Sequence, residues 1–343
     1  MAYTDIDDPS AYFGTTLWSG NNATPRTLSF TGNSDLQPDW VWTKKRDGAD
    51  HNQVFDSVRG FGASKDLCSG QTFAQGSASN GTSAHGFISS AVTNGFVATA
   101  GSSTALLENY SGKIYVGWGW KKAAVAGFDI VAYTGSSSAQ SISHSLSAVP
   151  EMMITKNLSV SSQWQVYTKT IGNGKAIQLN GTGGADSSSS YYNSTTPTSS
   201  VFTVGTDSGT NGNGNSMIAY LFRSVKGYSK IGSYTGNGNA DGAFIYTGFK
   251  PAYLLWRLTN ASGYGAQTVD NKRNPQNVTN SLLFPYDTHV EYTNASENLD
   301  LLSNGFKFRN ADRGRNGSGD TYIYMAFAEN PFVTSTGVPA TAR

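Results

Sequence analysis

A single cysteine, Cys68, leaves no partner for an intrachain disulfide and too few thiolates for a cysteine-based metal cluster. A buried free thiol is the expectation there. Charge is also scarce: Asp, Glu, Lys and Arg make up 14% of the chain, and 24 basic side chains nearly cancel 23 acidic ones. No basic field awaits nucleic acid or an anionic membrane. No run approaches the roughly 18 apolar residues of a membrane span, and coiled-coil heptads are missing, so neither helical insertion nor a thin helical shaft is encoded. The stretch "MAYTDIDDPSAYFG" has no basic start followed by an apolar core, and a chain made in the cytoplasm is expected.

What the chain has instead is 39 Gly, abundant Ser, Thr and Asn, and 17 Phe, 18 Tyr and 7 Trp. Small polar residues favour turns over helix interiors, while aromatics supply area to bury in sheets. The composition predicts an all-β protein. One helical turn is conceivable in "GASKDLCSGQTFAQ".

Internal repetition organises the rest. "YTG" at Tyr133 recurs at Tyr234, with a degraded copy, "LWSG", at Leu17. A strand led by proline follows each: "LQPDWVWTKKR" at Pro38, "AVPEMMITKN" at Pro150 and "FKPAYLLWRLTN" at Pro251, ending in Lys44, Lys156 or Arg257. Next come "NQVFDSV", "WQVYTK" and "AQTVDNKR". Then Phe96, Phe202 and Phe306 sit in related turns spaced by 106 and 104 residues. Each copy closes with a strand: "GKIYVGWGW", "SMIAYLF" or "TYIYMAF". The predicted architecture is three tandem antiparallel β-sandwich modules, jelly-roll or lectin-like, over residues 1–122 (with an N-terminal arm, Met1 to Gly14, that could dock elsewhere), 123–226 and 227–332, followed by a polar tail, 333–343. The junctions "KKAAVAG" and "RSVKG" are short, so the modules should pack on one another. In the closing strand, Ile114, Val116, Trp118 and Trp120 alternate with Tyr115, Gly117 and Gly119, the glycines marking a close neighbour. The third closing strand is apolar on both faces.

Chemistry is harder to find. His51, His85, His144 and His289 share no metal spacing. Asp50, His51, Asp56 and Arg59 cluster, but no nucleophile accompanies them. Glu108, Glu151, Glu291, Glu297 and Glu329 do not recur at equivalent positions, which disfavours a repeated glycosidase pair. The loop "NADRGRNGSGD" offers Asp312, Asn316 and Asp320 as calcium ligands without the spacing of a known calcium loop. Trp40 with Trp42 and Trp118 with Trp120 could be sugar platforms but sit in the most apolar strands, so core packing is expected. The contacts that suit a glycan or receptor are Tyr264, Asp270, Asn271, Arg273 and Asn274, in a loop expected to be exposed.

Together, "PDWVWTKKR", "FDSVRG", "TNGF", "YVGWGWK", "GFDIVAYTG" and "YIYMAFAENPF" resemble a group of structural proteins of tailed phages infecting marine and freshwater bacteria, cyanophages included, from about Asp5 to Arg343. The resemblance implies a non-enzymatic virion component, described as tail, fibre or appendage, that serves host adsorption. It also implies assembly in the bacterial host cytoplasm with other virion proteins, as a homo-oligomer, with a host surface glycan or receptor as partner. It transfers no catalytic residue and no cofactor. A capsid decoration protein and a lectin-like glycan-binding module are the alternatives.

Overall fold

Phe13–Ser19, Phe128–Thr134 and Ser229–Thr235 open the three repeats, and each pairs antiparallel with the last strand of its own repeat, Ile114–Trp120, Ser216–Phe222 or Thr321–Pro331. The computed structural model in which this is seen describes residues 3–77, 84–102, 108–294 and 296–339. The closing strand then pairs with the Pro-led strand, Trp40–Lys45, Met152–Asn157 or Phe249–Leu258. That strand in turn pairs with a fourth, Gln53–Asp56, Gln165–Thr168 or Gln267–Asp270. The order opening, closing, Pro-led, fourth thus recurs in each third of the chain. Strand makes up 41% and helix 3%, so the expected all-β, multi-sheet antiparallel sandwich is observed and helix contributes only caps.

A second, smaller sheet covers one face of each of these. It is built from Arg26–Ser29, Gly95–Thr99 and Phe87–Val92 in the first repeat, Gln140–Ser143 and Val201–Val204 in the second, and Phe244–Tyr246, Gly305–Phe308 and Leu299–Leu302 in the third. Phe96, Phe202 and Phe306 are fully buried between the layers. The glycines of the first closing strand have a cause here. A Cβ on Gly117 would lie 2.7 Å from the Phe96 ring, and one on Gly119 2.4 Å from that of Phe30, so only glycine lets the layers meet.

The other face of each large sheet is where the three repeats join. Successive side chains of a strand point to opposite faces. Val41, Phe55 and Tyr115 therefore fill the sandwich of the first repeat, while Trp40, Trp42, Val54, Trp118 and Trp120 enter a core shared by all three. Met153, Ala219 and Leu221 alternate in the same way with Met152, Ile154, Tyr220 and Phe222, and Leu254, Trp256 and Tyr324 with Tyr253, Leu255, Met325 and Phe327. The central rings interlock across repeats: Trp40 lies 5.1 Å from Tyr220, Trp120 5.4 Å from Tyr253, and Phe222 6.2 Å from Phe327. Aromatic contacts at these separations add to area burial. A closing strand apolar on both faces serves two cores.

The N-terminal arm closes the assembly. Lys121–Gly127 and Ser224–Tyr228 connect neighbouring repeats covalently; between the third and the first, the arm does the same work without a peptide link. Thr4 Oγ1 donates to Lys226 O at 2.9 Å, Asp5 N to the same oxygen at 3.1 Å, and Ile6 enters the shared core. Asp7 accepts from Ser335 N at 2.7 Å, tying arm to tail. From Thr4 onward the arm is therefore bound into the molecule rather than free to dock, while Tyr3 is exposed; Met1 and Ala2 lie outside the described residues, as do 340–343 of the tail. The stretch expected to hold a helical turn contains the short strand Leu67–Cys68 instead, with Cys68 buried and unpaired to another cysteine.

Candidate functional site

The basic residue ending each Pro-led strand lies at a junction. Lys44, Lys156 and Arg257 occupy one register position, since Trp40, Met152 and Tyr253 all face the fourth strand at Asp56, Thr168 and Asp270. All three are at most 2% exposed. Lys44 Nζ donates to Asp50 O (2.6 Å), Gly48 O (3.1 Å) and, in the third repeat, Thr288 O (3.2 Å). Lys156 Nζ donates to Ser162 O (2.8 Å) and to Thr72 O of the first repeat (3.0 Å). Arg257 reaches Gly181 O and Gly183 O of the second at 2.5 and 2.6 Å. First grips third, second grips first, third grips second. A buried cation is tolerated only where acceptors replace water, and burial pushes Lys156 down to about 7, Lys44 to about 8 and Arg257 to about 10.

Two junctions add a buried ion pair from the fourth strand. Asp56 binds Arg59 and accepts Tyr220 O–H of the second repeat at 2.7 Å. Asp270 binds Arg273 at 2.6 Å and accepts Trp118 Nε1–H of the first at 3.2 Å. Burial opposes the charge on Arg273, but Asp270 and Glu291 outweigh it and hold its pKa above the ordinary value. Glu291 also accepts from Nε and Nη2 of Arg46, at 2.8 and 2.7 Å.

This burial corrects the expected exposed contact loop. Asp270, Asn271 and Arg273 are each no more than 7% exposed. Tyr264 packs half-buried against the third inner core, and Asn274 turns inward to accept Ser281 N at 2.9 Å. A polar loop folds inward here because Asp270 and Arg273 neutralise each other and Trp118 of the neighbouring repeat donates to the carboxylate. In the loop considered for calcium, Arg313 holds Asp320 at 2.8 Å and Asp312 accepts Gly314 N at 2.8 Å. Asp50 is paired with Lys45. The four tryptophans considered as sugar platforms are buried in the shared core, as expected.

Two repeated features escaped the sequence reading. Asn109, Asn211 and Asn316, each heading an Asn-x-x-Gly run before the closing strand, are buried and clamp the turn after the opening strand. Asn316 Nδ2 donates to Asn239 O and Asn310 O at 2.8 Å, and Asn211 Oδ1 accepts Ser136 N at 2.8 Å. The second is a buried glutamine at one fourth-strand position, Gln53, Gln165 and Gln267. The residue before each clamping asparagine differs: Glu108, Thr210 or Arg315. Glu108 is buried, accepts from Thr43 Oγ1, and is pushed by burial to about 8. Arg315 Nη2 donates to Gln267 Oε1 at 2.9 Å. Thr210 makes no such bond to Gln165, which lines two cavities, one of about 220 Å³ within the second repeat and one of about 330 Å³ shared with Thr72 of the first.

No curated protein matches the chain. The family model described as a domain of unknown function, DUF7483, matches residues 8–331, from the helical turn of the arm into the last strand and across all three repeats as one unit. The chain belongs to that family.

Proposed function

We propose that the protein is a non-enzymatic structural component of a tailed-phage virion, a tail or fibre appendage that takes part in host adsorption. The observation that carries this reading is the use made of charge: Lys44, Lys156 and Arg257 fasten repeats to one another, as do Asp56 and Asp270, each paired with its own arginine and accepting from Tyr220 or Trp118 of a neighbour. Equivalent positions that would hold a repeated reaction centre are consumed as joints. A closed three-part body with an aromatic interior suits a particle that persists outside the cell. Other virion proteins, and a host surface glycan or receptor, are its partners in this reading, and it works as a homo-oligomer.

Gold-labelled antibody on purified virions, viewed by electron microscopy, tests the proposal. Label at the tail tip is expected. Label over the head would replace the appendage by a capsid decoration, and absence of both label and virion peptides in mass spectra would remove the virion reading. Release of reducing sugar from host envelope polysaccharide would overturn the non-enzymatic part.

A further inference from the structure

We infer that the second repeat carries a binding site for one neutral sugar unit, in the cavity at Gln165. The repeats diverge at the position that supplies this glutamine with a donor. In the third repeat the buried glutamine has its carbonyl oxygen satisfied by Arg315. In the second, Thr210 stands in place of that arginine, and its hydroxyl donates to Tyr191 O at 3.0 Å. Gln165 is 5% exposed, and its Oε1 has no hydrogen-bond partner among the described residues. A buried carbonyl left without a donor is costly, and turning the carboxamide into the adjoining cavity gives it a ligand hydroxyl as donor.

The cavity of about 220 Å³ is lined by Gln165, Gln178, Asp186, Tyr191 and the backbone of Gly183 and Gly184. Drug-sized ligands need about 300 Å³ or more, so this space fits a single ring. Tyr191 O–H donates to Asp186 Oδ2 at 2.8 Å and orients the carboxylate. Two carboxamides, each both donor and acceptor, and one acceptor-only carboxylate complement the hydroxyls of a pyranose. No basic side chain lines the space, which disfavours phosphate, sulfate or a uronate, and the described residues hold no cluster of three His, Cys, Asp or Glu that would keep a metal. The wall is fixed from the third repeat, through Arg257 to Gly183 O at 2.6 Å and Ala185 N to Thr259 O at 2.7 Å. The inference supplies the adsorption reading with a ligand class and rests on that reading only for its biological role.

Saturation-transfer NMR on the full chain with free glucose, galactose, mannose, rhamnose and N-acetylglucosamine, each tested alone, reads the site directly. Transfer to at least one sugar is expected. Asp186→Ala, at an exposed position that leaves the core intact, should weaken it about tenfold by removing a charged hydrogen-bond acceptor. Gln165→Leu should abolish it. Silence with all five sugars, or transfer unchanged in both variants, would overturn the site. Either result leaves the virion labelling untouched, so the two readings fail separately.

Discussion

The junction of the third repeat with the first and that of the second with the third solve one packing problem in opposite ways. At the former, Asp270 and Arg273 are buried together and Trp118 of the neighbour donates to the carboxylate. At the latter, the same three positions are Thr168, Ile171 and Met325, and none of them is charged. The junction of the first with the second keeps the charged version, with Asp56, Arg59 and Tyr220. A buried acceptor and its donor across a junction are therefore present or absent together. An uncompensated buried charge costs several kcal/mol, whereas a well-packed apolar replacement of the whole set is close to neutral.

The largest effect should come from breaking one charged junction by half. Asp270→Ala leaves Arg273 buried beside Glu291 alone and is expected to destabilise by about 3–5 kcal/mol in urea unfolding, while Thr168→Ala, at the equivalent position, should cost about 1 kcal/mol or less. Transplanting the apolar solution sharpens the comparison. The triple variant Asp270→Thr, Arg273→Ile, Trp118→Met should be more stable than Asp270→Thr alone, and a triple variant no better than the single would show that the pair is irreplaceable.

Next in size are the basic bolts. Lys156→Met removes the donor from three part-buried acceptor atoms, Thr72 O, Ser162 O and Ser162 Oγ, and should cost about 1–3 kcal/mol. Its pH dependence has a defined sign. The folded pKa of about 7 lies below the ordinary 10.5, so between those values the unfolded chain binds more protons and stability rises with pH. Glu108 acts the other way: its pKa of about 8 lies above the ordinary 4.5, so its contribution is full below about 4.5 and is lost as pH rises through 8. Urea midpoints measured from pH 5 to 10 should lose part of their alkaline rise in Lys156→Met and part of their decline between pH 5 and 8 in Glu108→Gln. Curves parallel to the parent protein in both variants would contradict this. The smallest effect is expected for Ser335→Ala, which removes the hydroxyl donated to Asp7 and keeps the backbone bond at the exposed arm-to-tail contact; thermal unfolding should show little change.

Much of the scaffold was legible because repetition is a pattern within one chain. The Pro-led strands, Phe96, Phe202 and Phe306, and the burial of Trp40, Trp42, Trp118 and Trp120 all follow from alternation. The shared core was less visible: two apolar faces announce two coverings, but not that the second covering is two other repeats. Tyr264 to Asn274 misled because Asp, Asn and Arg in a loop look the same whether water or Trp118 surrounds them. The helical turns Ser189–Tyr192 and Ser208–Asn211 are four residues each, too short for a 3.6-residue period to register. The Asn-x-x-Gly clamp was lost among the many Asn and 39 Gly of the chain, although its position just before every closing strand would have exposed it.

Fusion of the three repeats into one chain has an evolutionary consequence. A ring of identical subunits must carry any substitution at every junction, so a change useful at one interface is tested at all of them. Covalent tethering lifts that constraint. Glu108, Thr210 and Arg315 differ at one repeated position, and each answers to its own surroundings: Thr43, the Tyr191 carbonyl and Gln267.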